Sequence, residues 1–88
     1  MTRPVGNYTR EVHEMDFTPE ALREARELAG LTAAELGERA HVHRVTISNA
    51  ERGLVPSSET WQKLRSALRA ALRERIRDAA RARRKLAA

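Results

Sequence analysis

Cysteine is absent from the 88 residues, which removes disulfides, thiolate zinc sites and cysteine nucleophiles together and fits a reducing compartment. Aromatic residues are almost absent too: one Trp, one Tyr and one Phe. A core must therefore be aliphatic, from Leu, Val, Ile and Ala, which favours helices over a β-sandwich. No apolar run approaches the length of a membrane span, and the opening MTRPVGNY lacks the apolar core of a signal peptide. The expectation is an intracellular, cytoplasmic protein in contact with no membrane, in which the sequon Asn7-Tyr8-Thr9 is a chance match. No phosphate-cradling glycine loop and no nucleophile and base at a telling spacing are present, so no enzyme is expected. A chain this short buries only about 60 to 65% of its unfolded surface, and a partner subunit would help it.

What is present is charge, unevenly placed. Residues 1–68 carry nine Lys/Arg against ten Asp/Glu, a net of −1, whereas residues 69–88 carry eight against two, a net of +6. The basic character belongs to the C-terminal segment, and Arg dominates it, since Lys occurs only at positions 63 and 85.

The chain divides into three. Residues 1–16 have no clean period and contain Pro4 and Gly6; they read as an arm, disordered by default, with Arg3 and Arg10 as candidates for a minor groove or a dimer interface. At Phe17-Thr18-Pro19 helix grammar begins. Thr18 is an N-cap, Pro19 suits the first helical position and Phe17 is spaced to staple onto Leu22, which predicts a helix to Ala29, ended by Gly30. Leu31-Thr32-Ala33-Ala34-Glu35-Leu36 repeats that grammar, with a capping box from Thr32 to Glu35 and a staple from Leu31 to Leu36, for a second helix over 33–40. Gly37 inside it costs about 1 kcal/mol of propensity relative to Ala, so another backbone or helix is expected to approach closely there.

The next stretch, HVHRVTISNAERG, is the odd one. Val45, Thr46 and Ile47 are β-branched in succession and lose χ1 freedom in a helix. Read as a helix over 44–52, it puts Ile47, Ala50 and Leu54 near one face, with Val42 leading in. Arg44, Val45, Thr46, Ser48, Asn49 and Arg52 are left on others. An outward Val-Thr pair beside Ser and Asn is poor for a solvated surface and ordinary for one that meets base edges. His41 and His43 could be metal ligands, but only His13 and nearby carboxylates could complete a set, so they read as a turn residue and a residue on the groove or phosphate side. After Leu54-Val55-Pro56, Ser57 or Ser58 caps a helix with no Gly or Pro to the C-terminus. Trp61, Leu64, Leu68, Leu72 and Ile76 form its apolar stripe. Its first half, to about Leu68, is expected to close the core; residues 69–88 are a basic helical extension with nothing left in the sequence to bury their stripe.

Residues 18–68 resemble the helix-turn-helix domain of the phage repressor, Cro and XRE-like family. The match is carried by LREARELAGLTAAELGERA, VHRVTISNAERG and PSSETWQKL together: a small residue in mid-helix (Gly37), an aliphatic after the turn (Val42), the pair Ile47-Ser48, and Glu51 before Gly53. The resemblance implies an all-α, repressor-like helical bundle with an extended C-terminal helix, and a recognition helix lying in the major groove of double-stranded DNA. Carried over residue by residue, Arg44, Val45, Thr46 and Asn49 read bases. Thr32, Ala33, His43, Ser48 and Arg52 meet the backbone, and Arg26 and Glu51 form a structural ion pair. The sequence departs from the family at Ala33, often Gln; at His41, usually Gly; at His43, usually Ser or Thr, which predicts a less well capped recognition helix; and at Ala50, usually Ile or Leu, where Trp61 is expected to fill the space.

The expected function is sequence-specific transcriptional regulation, Cro-like or repressor-like, in a phage or a restriction-system controller. A homodimer would bind a pseudo-palindromic operator in the nucleoid of a bacterial or phage-infected cell. Neither a cofactor nor a small-molecule ligand is expected, so control would come from protein concentration and operator competition. Leu68, Leu72 and Ile76 are candidates for dimerisation, and Arg81, Arg83, Arg84 and Lys85 for backbone contact with DNA. The alternative is an antitoxin or antirepressor whose long C-terminal helix binds a partner protein.

Overall fold

The computed structural model describes residues 17–87, which form four helices: α1 Pro19–Leu28, α2 Ala33–Ala40, α3 Arg44–Glu51 and α4 Ser58–Ala87. The expected arm, 1–16, with Arg3, Arg10 and His13, lies outside the described residues. Among those described there is no strand, and no helix is long and apolar enough to cross a membrane.

Each helix start is fixed by a side chain that takes an orphan N–H. The Ala21 N–H donates to Thr18 Oγ1 at 3.0 Å. At α2 the Glu35 N–H donates to Thr32 Oγ1 at 3.0 Å while the Thr32 N–H donates to Glu35 Oε1 at 2.8 Å, a complete capping box. Of Ser57 and Ser58, Ser57 is the cap: its Oγ accepts from the Thr60 N–H at 3.1 Å, and Ser58 is the first residue of α4. The ends of α1 and α3 share one geometry. Gly30 and Gly53 have positive φ, and the residue after each donates back into the helix, Leu31 N–H to Arg26 O at 3.1 Å and Leu54 N–H to Asn49 O at 3.0 Å.

The core holds Leu22 and Ala29 from α1, Leu36 and Ala40 from α2, Ile47 and Ala50 from α3, and Trp61, Leu64, Leu68 and Ala71 from α4. Leu22, Leu36, Ile47 and Leu64 are fully enclosed. Phe17 meets Trp61 edge to face, ring centroids 5.1 Å apart, so the residue placed to staple α1 also ties it to α4. Ala50 and Trp61 are both buried in this cluster.

Three expectations are corrected here. Leu54 is not on the inner face with Ile47 and Ala50: α3 has ended, Gly53 turns the chain outward, and Leu54 is 63% exposed. The buried face of α4 does not stop at Leu68 but runs to Ala71. It is followed by an ion pair from Arg39 Nη2 to Glu74 Oε1 at 2.7 Å and by the Arg75 guanidinium against Gly30. Leu68 itself, 4% exposed, is core and has no surface to offer a second subunit. Leu72 is half-buried and Ile76 is 68% exposed, so the apolar stripe continues past its cover. With 30 residues, α4 is about 45 Å long; its last dozen residues reach beyond the bundle.

Candidate nucleic-acid interface

The joint between α2 and α3 depends on two unlike residues. A Cβ on Gly37 would lie 2.5 Å from the Val42 carbonyl oxygen, and Gly37 O accepts the Val42 N–H at 2.9 Å. Only glycine lets the turn fold back so tightly onto α2. His41 makes the reversal in the left-handed region, φ 60° and ψ 44°, a conformation that costs a non-glycine residue about 1 to 2 kcal/mol.

Ile47 and Ala50 hold α3 down on its inner side, and Glu51 ties it to α1. Arg26 Nε donates to Glu51 Oε2 at 2.7 Å and Nη2 to Oε1 at 3.0 Å, while Nη1 donates to the Leu31 carbonyl at 3.0 Å. One guanidinium thus fixes the recognition segment and the loop before α2 together. The Arg26 hydrogen bonds hold the Glu51 carboxyl below its ordinary 4.5, against the opposing push of burial. Arg26 is raised in turn, by its hydrogen bonding to Glu51 first. Arg23 Nε adds a looser approach to Glu51, 3.6 Å.

With that face occupied, the residues left outside are the ones singled out in the sequence. At 100° per residue, Val45, Ser48, Asn49 and Arg52 share one arc of about 100°, and Arg44 and Thr46 flank it on opposite sides. Arg44, Val45 and Arg52 are exposed; Thr46, Ser48 and Asn49 are half-buried. Among the described residues neither the Arg44 nor the Arg52 side chain has a carboxylate partner. Thr32 and Ala33 stand at the start of α2, Thr32 engaged in its box and Ala33 half-buried.

His43 departs from expectation. Its Nδ1 accepts the Val45 N–H at 3.1 Å, so histidine replaces the usual hydroxyl as the N-cap of α3 and the helix is not left uncapped. Among the described residues no three His, Asp or Glu side chains converge as a metal site would require. Sequence reading also missed the Arg39–Glu74 pair and the Arg26 bond to the Leu31 carbonyl. Arg39 and Glu74 are 35 residues apart, beyond any local spacing rule.

A family model described as helix-turn-helix matches residues 22–74, more than half of the chain. The chain belongs to the Cro/C1-type XRE helix-turn-helix family. It is a DNA-binding transcription regulator of the XRE type, and the family is one of regulators of double-stranded DNA, not of enzymes. No match was found among curated proteins or among solved structures. In this XRE-family chain the matched region ends at the Arg39–Glu74 clasp, the last ion pair between α4 and the bundle among the described residues.

Proposed function

We propose that this XRE-family chain is a sequence-specific regulator, Cro-like or repressor-like, that acts in the cytoplasm as a homodimer on a pseudo-palindromic operator. In this reading α3 enters the major groove, with the two copies about 34 Å apart. Arg44, Val45, Thr46 and Asn49 face base edges: Arg is suited to the two acceptors of guanine, Asn to adenine, and Val and Thr methyls to the thymine methyl. Thr32, the Ala33 N–H, His43, Ser48 and Arg52 take the phosphates, which set register without reading sequence. The observation that carries the reading is the outward face of α3. Two arginines without carboxylate partners among the described residues and a Val-Asn surface are held rigidly by the Arg26–Glu51 pair.

The charge distribution gives the extension a part. Residues 1–68 have a net charge of −1 and gain little long-range attraction to DNA, so Arg81, Arg83, Arg84 and Lys85 supply the salt-dependent share of binding. Ile76 and Leu72, on the uncovered stripe, supply the dimer contact. Selecting bound sites from random duplexes at two salt concentrations tests the whole. A palindromic consensus that loses definition at separate positions in Arg44→Ala and Asn49→Ala supports it. An unchanged consensus in both variants overturns the base assignments.

One observation favours a second reading. Ile76 and Leu86 are 68% and 87% exposed on a helix that reaches past its own bundle, which is also how an antitoxin or antirepressor would present itself to a partner protein. Copurification from the native host with a stoichiometric second protein, together with weak operator binding, would favour it.

A further inference from the structure

We infer that His43 is a tautomer-locked phosphate clamp: its ring caps the recognition helix through Nδ1 and, through the Nε2–H that this cap enforces, donates one hydrogen bond to a phosphate oxygen of bound DNA. The inference rests on the proposed DNA-bound arrangement and concerns a residue whose type is unusual at its position.

A neutral imidazole has one donor and one acceptor nitrogen, and the partner of one nitrogen decides the role of the other. The Val45 amide can only donate, and it lies 3.1 Å from Nδ1. Nδ1 is therefore the acceptor and the ring proton is on Nε2. His43 is exposed, and among the described residues no protein group accepts from Nε2. A serine or threonine cap that accepts from the same amide keeps its O–H donor on that same oxygen, close to the helix end. The imidazole is longer and carries a second polar atom on its far side, so it caps and reaches outward at once.

Its place in the fold selects the acceptor. His43 precedes Arg44 by one residue, which puts it off the arc occupied by Val45, Asn49 and Arg52 and back toward α2. There it lines a shallow depression between the two helices with Gly37, Glu38, Val42 and Arg44. In a helix-turn-helix, α2 is the element that crosses the sugar-phosphate strand, so the atom nearest Nε2 is a phosphate oxygen and not a base edge.

A neutral donor leaves a distinctive trace, because it orients a phosphate without displacing a counterion. His43→Asn keeps a first-rate N-cap but is too short to place a donor at the Nε2 position. The expected result is unchanged thermal stability, affinity lowered about tenfold for the loss of one hydrogen bond to a charged acceptor, an unchanged slope of log affinity against log salt, and an unchanged consensus. His43→Ala should lose stability as well as affinity. In the free protein in mildly alkaline buffer, imidazole ¹⁵N shifts, assigned by difference from His43→Asn, should report an unprotonated Nδ1 and a protonated Nε2. A proton on Nδ1 overturns the lock. A shallower salt slope in His43→Asn shows a cation and overturns the neutral clamp, and a consensus altered at one base overturns the phosphate assignment. Should the wild-type chain select no duplex at all, the proposed function fails while the ¹⁵N result still decides the cap.

Discussion

Arg26 and Glu51 meet through two hydrogen bonds, 2.7 and 3.0 Å, and the same guanidinium makes a third to the Leu31 carbonyl at 3.0 Å. The pair is mostly enclosed, with 17% of the Arg26 side chain and 8% of the Glu51 side chain exposed. Removing one half strands the other in a poorly solvated place, a loss of about 3 to 5 kcal/mol for a fully buried pair. Because Arg26 keeps some access to water, Glu51→Ala should cost about 2 to 4 kcal/mol in urea unfolding.

That pair also sets an acid limit. Glu51 is held below 4.5 in the folded state. Its contribution is therefore fully present above the unfolded value, near 4.5, and is lost as pH falls from there through the lower folded value. Unfolding followed across that window should show a progressive loss in the wild type and a flatter profile in Glu51→Gln. An equally steep loss in the variant would place the acid sensitivity elsewhere.

Gly37→Ala should destabilise although alanine is the better helix former. The gain in propensity is about 1 kcal/mol, but the new methyl would lie 2.5 Å from the Val42 oxygen and 3.4 Å from the Arg44 nitrogen, both backbone atoms that cannot swing away. Overpacking of this kind costs about 1 to 3 kcal/mol. A higher melting temperature in the variant would contradict the geometry of the turn.

His41→Gly has the opposite sign. The left-handed conformation at φ 60° favours glycine, partly offset by the greater freedom glycine has when unfolded. A gain of about 0.5 to 1 kcal/mol is expected, with DNA affinity little changed.

Truncation separates the two proposed roles of the extension. Ending the chain after Arg77 keeps Ala71, the Glu74 clasp and Ile76 while removing Arg81, Arg83, Arg84 and Lys85. Stability and oligomeric mass should hold, and the salt slope of DNA binding should become shallower by about 0.9 for each phosphate contact removed. Ile76→Asp in the full chain should instead lower the mass in solution without unfolding it, since the side chain is 68% exposed. An unchanged mass would remove Ile76 from the dimer contact. Ending after Leu68 confounds both tests, because it also deletes part of the core.

Much of this architecture is local and was therefore legible without coordinates. The Thr32–Glu35 box, the Thr18 cap, the glycines that end α1 and α3, and the close approach at Gly37 each follow from a few neighbouring residues and the geometry of a helix end. The bounds of α2 and α3 came out to within a residue for that reason. What the sequence determined by itself is the family, the helical class and the set of side chains left over once the apolar periodicity is satisfied. Only the tertiary structure decided where α4 leaves the core and that Arg39 meets Glu74. Each depends on how far one helix lies across another, a distance that no local pattern encodes. The role of His43 at the cap was decided there too: its residue type reads as a poor cap, and only the placement of its ring nitrogen against the Val45 amide makes it a good one.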